Sequence, residues 1–187
     1  MKETLSSIAK RTGFSVTTVS RVLSGKAEQH RISPDTIEKV LKDAREHDYS
    51  PSLIAQSLRT NRTNTIGILL PSLSNPYFAE MASVIISEVH RRNYTGIIID
   101  TMEDEKKFND SASILLSRRV DGIIAVPCGT DDSLIESINR NYLPIVLIDR
   151  YYDNSKLSFV TTNNHKGGLM ATRHLIDMGH KRIACIQ

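Results

Sequence analysis

The spacing of hydrophobic and polar residues changes near residue 65. Before that point, apolar residues recur at helical spacing in three short segments, each flanked by residues that begin or end helices. After it, nearly continuous apolar runs alternate with helical patterns. Such runs are typical of parallel strands that are buried on both faces. The pattern therefore predicts a small helical domain followed by an α/β domain.

The first part of the chain is predicted to form three helices with one common core. Thr4, Ser15 and Ser33 are candidate N-caps, and Gly13 and Gly25 are candidate stops for the first two helices. The apolar faces are Leu5, Ile8 and Ala9; Val19, Val22 and Leu23; and Ile37, Val40, Leu41 and Ala44. The following segment, residues 49–64, reads as a linker with a marginal helix, "SLIAQSL", which is too short to be stable alone.

The second part of the chain is predicted to be a doubly wound sheet of βαβ units. Six strands are expected, at 65–71, 95–100, 121–127, 143–149, 157–162 and 182–186. Helical patterns lie near 77–92, 105–118, 131–141 and 166–178. Because the last strand falls on the final residues, the sheet looks incomplete.

Composition narrows the class of protein. Of 187 residues, 40% are hydrophobic and 24% are charged, which is ordinary for a soluble protein, and no apolar run is long enough to span a membrane. The N-terminus lacks the apolar stretch of a secretory signal, so we expect a cytoplasmic protein. Two cysteines do not make a disulfide framework or a zinc site. Cys185 is predicted to be buried, and Cys128 either to be buried or to line a pocket.

Charge is distributed unevenly along the chain. Residues 1–64 contain 11 Lys and Arg against 7 Asp and Glu, a net charge of +4, whereas residues 65–187 contain 13 against 14, a net charge of −1. A polyanionic partner is therefore expected at the N-terminal part. The alternative is ordinary solvated helices, which often carry as much charge.

The first two helices have the spacing of a helix-turn-helix, with a three-residue turn that begins at Gly13. If the second helix lies in a DNA major groove, Val16 and the methyl group of Thr17 reach thymine methyls, and Arg21 reaches guanine. Hydroxyl groups that could bond phosphates or bases belong to Ser15, Thr18 and Ser20. The alternative is a helical bundle with a polar surface.

Polar residues follow the predicted strands, at the edge where doubly wound folds bind ligands. They are Ser72 to Phe78, Asp100, Pro127 and Cys128, Asp149 and Arg150, and Asn163 and Asn164. Hydrogen-bonding groups combined with an aromatic ring suit a sugar. No catalytic motif or metal-ligand spacing of histidines is present, so we expect neither an enzyme nor a metal or cofactor.

The motifs together resemble one family of bacterial transcription regulators. "TLSSIAKRTGFSVTTVSRVLSGK" and the following "SPDTIEKVLKDAREHDYSPSLIAQSLRTNRTNTIGILLP" are similar to the N-terminus of the lactose and galactose repressor family. "NPYFAEM", "RVDGIIAVP", "PIVLIDR" and "HLIDMGHKRIACI" resemble its regulatory domain. The resemblance implies an all-α helix-turn-helix DNA-binding domain at 1–48, a hinge helix and linker at 49–64, and part of an α/β doubly wound, periplasmic-binding-protein-like domain at 65–187.

The resemblance also implies roles for individual residues. Val16, Thr17 and Arg21 correspond to base readers, and Leu58, with Ala55 beside it, to the wedge that the hinge helix inserts into the minor groove. Asn75, Tyr77 and Phe78 correspond to the first effector loop, and Asp149 with Arg150 to a hydroxyl-binding strand end. Asn163 stands where many relatives carry aspartate, which leaves its direct contact with effector open.

The segment "SGKAEQHRI" before Ser33 is longer than the commonest family pattern and is similar to the fructose and sucrose repressors. Lys26, His30 and Arg31 in it either contact phosphates or form a solvated loop. This likeness favours a sugar or sugar phosphate as effector.

The sequence thus predicts a sequence-specific transcription regulator, acting as a repressor of a carbohydrate-utilisation operon. It is expected to bind a pseudopalindromic operator in double-stranded DNA as a homodimer or dimer of dimers, in the cytoplasm with the nucleoid. The alternative is a sugar-binding module of the periplasmic type without DNA binding; the helix-turn-helix and the missing signal favour the regulator. Because family members are longer, we expect a partial chain with half of its effector site.

Overall fold

The computed structural model of the chain describes residues 3–50, 57, 60–140, 143–153 and 155–186. The chain divides into two compact units, Met1–Asn61 and Arg62–Gln187. The first unit is helical in its described residues, and the second combines helices with a parallel sheet. The predicted fold class, a helical N-terminal domain followed by a doubly wound α/β domain, is confirmed.

Three α-helices and a short 3-10 helix form the first unit. They are α1 (Leu5–Thr12), α2 (Val16–Leu23), the 3-10 helix (Glu28–His30) and α3 (Pro34–Glu46). Thr4 caps α1 in a capping box, because its hydroxyl accepts from the Ser7 backbone N–H while the Ser7 hydroxyl accepts from that of Thr4. Ser15 and Ser33 cap the next two helices as predicted.

The predicted stops agree with the structure for α1 and differ by one residue for α2. Gly13 ends α1 with a φ of 78°, a left-handed conformation that glycine adopts without steric cost. The C-cap of α2 is Ser24, one residue before Gly25, which follows with a φ of 70°.

Each α-helix of the first unit contributes one fully buried residue to a shared core: Ile8, Val19 and Val40. The partly buried residues around them are Leu5, Phe14, Leu23, Ile32, Ile37, Leu41 and Tyr49. Burial of these apolar faces supplies the stability that such short helices lack in isolation. The opposite face of α2 takes no part in this core.

Five parallel strands form the second unit. In chain order, a helix follows each of the first three strands and the fifth, whereas the described residues between the fourth and fifth strands contain no helix. The elements are β1 (Thr65–Leu70), α4 (Pro76–Arg91), β2 (Thr95–Asp100), α5 (Glu105–Ser117), β3 (Gly122–Ala125), α6 (Ser133–Arg140), β4 (Ile145–Ile148), β5 (Ser158–Val160) and α7 (Asn164–Asp177). The strand order is β2-β1-β3-β4-β5, and every pairing is parallel. This is the doubly wound order in which ligands bind outside the carboxyl ends of the strands.

Strand β1 is covered on both faces, which explains its unbroken apolar sequence. Leu69 joins the core formed with α5 and α6, where Phe108 and Leu115 are fully buried. Ile68 and Leu70 point to the other face and pack against Phe78 and Ala82 of α4. Alternate side chains therefore enter two separate apolar layers.

The sixth predicted strand is not formed. Residues 182–186 have no regular secondary structure, Ile186 is 98% exposed, and Cys185 is exposed rather than buried as predicted. An apolar run becomes a strand only when a neighbouring strand supplies hydrogen-bond partners, and these residues pair with no strand in the described part of the chain. The apolar pattern alone therefore led to a wrong prediction for this segment.

We expect Gly67→Ala to destabilise the second unit by about 1–3 kcal/mol, because its new methyl group overlaps the fully buried side chain of Leu115. Gly122→Ala is the matched control, since its methyl group has no neighbour closer than the carbonyl oxygen of Pro144 at 3.4 Å. Urea unfolding of both variants measures the difference. Equal loss of stability in the two variants would contradict the packing argument.

Candidate functional site

The second helix of the first unit divides its residues between core and surface. Val19 and Val22 are buried, whereas Val16 is 45% exposed and Thr17 and Arg21 are also exposed. The side chains of Val16 and Arg21 are exposed and do not belong to the core of the first unit. The three residues that were predicted to contact bases, Val16, Thr17 and Arg21, therefore all lie on the exposed surface of α2.

A groove with a volume of about 520 Å³ lies along this face of α2, and we call it the α2 groove. Four predicted DNA-contact residues line it: Val16, Thr17, Ser20 and Arg21. Its wall also includes Leu5 and Ser24, together with Lys26 and His30 from the extended segment that connects α2 to α3. The structure thus places Lys26 and His30 beside the predicted base readers, whereas Leu5 was predicted only as a core residue. Its i+3 and i+4 spacing to Ile8 and Ala9 gave no signal of a second role.

Two of the predicted backbone-contact residues also build the helix. The Ser15 hydroxyl oxygen accepts from the Thr18 backbone N–H at 3.1 Å and lies 2.9 Å from the Thr18 hydroxyl oxygen. One hydroxyl proton of the pair is used in that contact, so the second remains able to donate to a phosphate. Capping and phosphate binding are therefore compatible at this helix N-terminus.

Ion pairs centred on Arg11 join α1 to α3. The Arg11 guanidinium donates to Asp43 at 2.7 Å and to Glu3 at 2.9 Å, and the side chains of Arg11, Glu3 and Asp43 are 31%, 25% and 14% exposed. These hydrogen bonds lower the pKa of both carboxyl groups below their ordinary values and raise the pKa of Arg11. The network fixes the helices against which α2 packs.

In the second unit, hydrogen bonds to the backbone of Asp149 hold this residue in place directly after β4. Its φ is 65°, a left-handed conformation that Asp and Asn tolerate better than most residues. The Asp149 N–H donates to the Val160 carbonyl at 3.0 Å, and its carbonyl accepts from the Thr161 hydroxyl at 2.8 Å. Its carboxylate then accepts from the Tyr77 hydroxyl at 2.8 Å. That hydrogen bond raises the pKa of Tyr77.

Arg150 lies over an aromatic ring and pairs with an acid from the connection that follows β2. Its guanidinium carbon is 5.7 Å from the centre of the Phe78 ring, within the range of a cation–π contact. Two nitrogens donate to the Glu103 carboxylate at 2.8 and 3.1 Å. This pairing raises the pKa of Arg150 and lowers the pKa of Glu103. Glu103 was not predicted, because nothing in the sequence relates it to a residue 47 positions away.

The six predicted effector residues are not all brought together. Tyr77, Phe78, Asp149 and Arg150 are linked by direct contacts, including an edge-to-face contact of the two rings at 5.2 Å. Asn75 and Asn163 instead cap α4 and α7, with side-chain oxygens that accept from the backbone N–H groups of Tyr77 and Lys166. Capping uses the carbonyl oxygen of each amide, so the NH₂ group is the part that can donate to a ligand.

Cys128 and Asp100 support this edge of the sheet. Cys128 is buried, with its sulfur 3.3 Å from the hydroxyl of Thr101, and burial raises the pKa of its thiol. Asp100 accepts from the backbone N–H groups of Leu73 and Met102, and so fixes two loops.

Ala55 and Leu58, predicted to enter the minor groove, lie outside the residues that the structure describes. Among the described residues, no group of three or more histidine, cysteine or acidic side chains is placed to hold a metal ion. No helix in the described ranges is both long and apolar enough to cross a bilayer.

Both units match known families. Residues 4–52 match the bacterial regulatory proteins of the lacI family, and residues 63–187 match the periplasmic binding proteins and sugar binding domain of the LacI family. The chain belongs to the LacI family of bacterial regulatory proteins. Members of this family act by regulation rather than catalysis.

Individual relatives agree with this assignment. The chain is 36% identical over 185 residues to the HTH-type transcriptional repressor PurR of Pasteurella multocida, covering 98% of this chain and 54% of that protein. It is 34% identical to a periplasmic binding protein/LacI transcriptional regulator from Alkaliphilus metalliredigens complexed with D-xylulofuranose, with a TM-score of 0.54, covering 62% of this chain and 42% of that one. The lac repressor dimer bound to operator shares the fold, with a TM-score of 0.83 and 24% identity over 98% of this chain and 55% of that one. The chain spans about half the length of the curated relatives it matches.

The Arg11 network predicts acid sensitivity of the first unit. Because the pKa of Asp43 is lowered in the folded state, its stabilisation is complete above its unfolded pKa near 4 and is lost as the pH falls below it. We expect Asp43→Asn to speed amide hydrogen exchange in α1 and α3 at pH 7, with a smaller difference from wild type at pH 3.

Glu46→Gln is the control for this variant, since its pair with Lys42 is 3.9 Å long and more than half exposed. An Asp43→Asn protein that exchanges like wild type at pH 7 would contradict the structural role of the network.

Proposed function

We propose that the chain is the DNA-binding and part of the effector-binding region of a transcription regulator, acting as a repressor. The observation that carries this proposal is the exposed face of α2, where Val16, Thr17 and Arg21 line a groove while Val19 and Val22 hold the helix in the core. An α-helix with such a face fits the width of the DNA major groove.

Contacts to bases and to phosphates would come from different residues. Val16 and the Thr17 methyl group supply apolar contacts to thymine, and Arg21 supplies paired donors to guanine. Phosphate contacts would come from the Ser15 and Thr18 hydroxyls, from Ser20, and from Lys26 and His30 in the same groove. These contacts orient the helix without reading sequence.

Three segments divide the work in this proposal. Residues 1–48 bind DNA, residues 49–64 form the hinge, and residues 65–187 are the N-terminal part of the effector-binding and dimerisation domain. In the hinge, Leu58 would insert between base pairs of the minor groove, with Ala55 beside it. An apolar wedge kinks the duplex and offsets the cost of unstacking by added contact area.

The effector would be a sugar or sugar phosphate that controls DNA binding. Asp149 offers a carboxylate acceptor, Arg150 and the amides of Asn75 and Asn163 offer donors, and Tyr77 and Phe78 offer aromatic surface. The relative from Alkaliphilus metalliredigens, complexed with D-xylulofuranose, supports a carbohydrate ligand. A carbohydrate-utilisation operon would then be the target.

The regulator would act as a homodimer or dimer of dimers on a pseudopalindromic operator, in the cytoplasm and associated with the nucleoid. Two copies of the α2 groove are needed to contact two half-sites one helical turn apart. The lac repressor, a relative in fold, is a dimer on its operator. A sugar-binding module without DNA binding leaves the exposed face of α2 unexplained.

We expect Arg21→Ala to weaken operator binding by about 1–3 kcal/mol and to relax preference at one base pair, because the bidentate contact to guanine is lost. Arg45→Ala is the matched control: Arg45 is an exposed arginine of α3, and its side chain bonds the Leu41 carbonyl. Fluorescence anisotropy with an operator and its single-base variants measures both effects. The same binding profile in both variants would refute a base-reading role for Arg21.

We expect Asp149→Asn to abolish the response to effector while operator binding persists. Asparagine tolerates the positive φ at this position, so the change removes the carboxylate charge without straining the backbone. Asp153→Asn, in the connection that follows β4, is the control. The change in operator affinity on adding effector, measured with the intact natural protein, is the readout, and a normal change in Asp149→Asn would contradict the assignment.

A further inference from the structure

The guanidinium of Arg150 is already occupied by groups of the protein. Glu103 accepts from both terminal nitrogens, at 2.8 and 3.1 Å. The Arg150 Nε lies 4.0 Å from the Asp149 carboxylate, and the Phe78 ring covers one face. Arg150 therefore has two acidic neighbours and one aromatic neighbour before any ligand arrives.

The edge of Arg150 that Glu103 occupies is the edge that would bind a phosphate. Arginine recognises carboxylate and phosphate in the same way, through two parallel N–H donors. A phosphate that took this position would have to displace Glu103 and leave that carboxylate without its partner. Both side chains are about half exposed, so a ligand can reach the pair.

Charge around the pair also opposes an anion. Residues 100–107, 129–132 and 149–153, at or after the ends of β2, β3 and β4, contain eight carboxyl groups and three basic residues, Lys106, Lys107 and Arg150. Asp104 and Asp131 accept from backbone N–H groups at the starts of α5 and α6, so these charges are fixed by the fold. The nearby Lys107 lies in α5, with its ammonium nitrogen 3.0 Å from the Met102 sulfur. A concentration of like charge lowers the local concentration of an anionic ligand.

We propose that Glu103 is a specificity residue that restricts the effector site to uncharged hydroxylated ligands, and so selects a neutral sugar over its phosphate ester. This inference rests on the proposed sugar-responsive regulator. Glu103 acts through Arg150: it neutralises the guanidinium and fixes its plane over Phe78. The Arg150 N–H groups that Glu103 leaves unbonded then donate to sugar hydroxyls, opposite the acceptor oxygens of Asp149.

The state of the pair agrees with this role. Hydrogen bonds from Arg150 hold the pKa of Glu103 below its ordinary value, so the carboxylate is charged at neutral pH. Ligand discrimination then depends on a permanent negative charge instead of on one that titrates near pH 7.

The test compares neutral sugars with their phosphate esters by isothermal titration calorimetry on the intact natural protein. The probes are fructose and fructose 1-phosphate, ribose and ribose 5-phosphate, and glucose and glucose 6-phosphate. Wild type is expected to bind the neutral member of its preferred pair more tightly. Glu103→Gln is expected to shift the ratio toward the phosphate ester by about tenfold or more, because the guanidinium edge is no longer held by a charged acceptor.

Two further variants separate this role from general effects of charge or folding. Asp153→Asn removes one negative charge from the connection after β4 without a contact to Arg150, and should leave the ratio unchanged. Glu103→Asp keeps the charge and should retain the preference for neutral sugars. Thermal melts of all variants establish that each one is folded.

Three results would overturn the inference. They are tighter binding of the phosphate ester by wild type, an unchanged ratio in Glu103→Gln, and an equal shift in Asp153→Asn. If no probe of either kind binds, the sugar effector of the proposed function fails, and this inference fails with it. Operator binding, measured on the same samples by fluorescence anisotropy, tests the DNA-binding part of the proposal separately.

Discussion

Parallel pairing of β1 with both β2 and β3 is the constraint on which the second unit depends. Parallel strands need crossover connections, which contain a helix after β1, β2 and β3, and right-handed crossovers place such helices on the faces of the sheet. All the connections that leave strand ends then meet at one edge. Tyr77, Glu103 and Asp149 follow three different strands. This topology brings Tyr77 within hydrogen-bond distance of Asp149 and Glu103 within hydrogen-bond distance of Arg150.

The first unit depends on its shared core, because its helices are too short to be stable alone. Val19 and Val22 of α2 satisfy the shared core, and the serine cap satisfies the first N–H groups of the helix. The face that carries Val16, Thr17 and Arg21 takes no part in that core. Its composition is thus free to follow a partner, which explains poor helix formers such as Thr17 on a helix held by tertiary packing.

Local signals in the sequence were enough to predict most of the fold. Caps such as Thr4 and Ser33 depend on neighbours three residues away, and buried strands such as β1 show as continuous apolar runs. The prediction failed at residues 182–186, since a strand requires a partner that the run itself does not specify. It also missed the pair between Glu103 and Arg150, because an ion pair between residues far apart in sequence produces no periodic pattern along the chain.

The hydrogen bond from Tyr77 to Asp149 joins the start of α4 to the end of β4. A ligand hydroxyl that takes the place of the phenol on Asp149 exchanges one hydrogen bond for another, so the exchange itself yields little net free energy. What changes is the donor to Asp149: a diffusible molecule would replace the Tyr77 side chain, and the hydrogen bond between α4 and the end of β4 would be lost. The side chains of Phe78 in α4 and Ile148 in β4 still share one apolar cluster. A ligand on Asp149 would therefore remove a polar link between the two elements without removing their apolar contact.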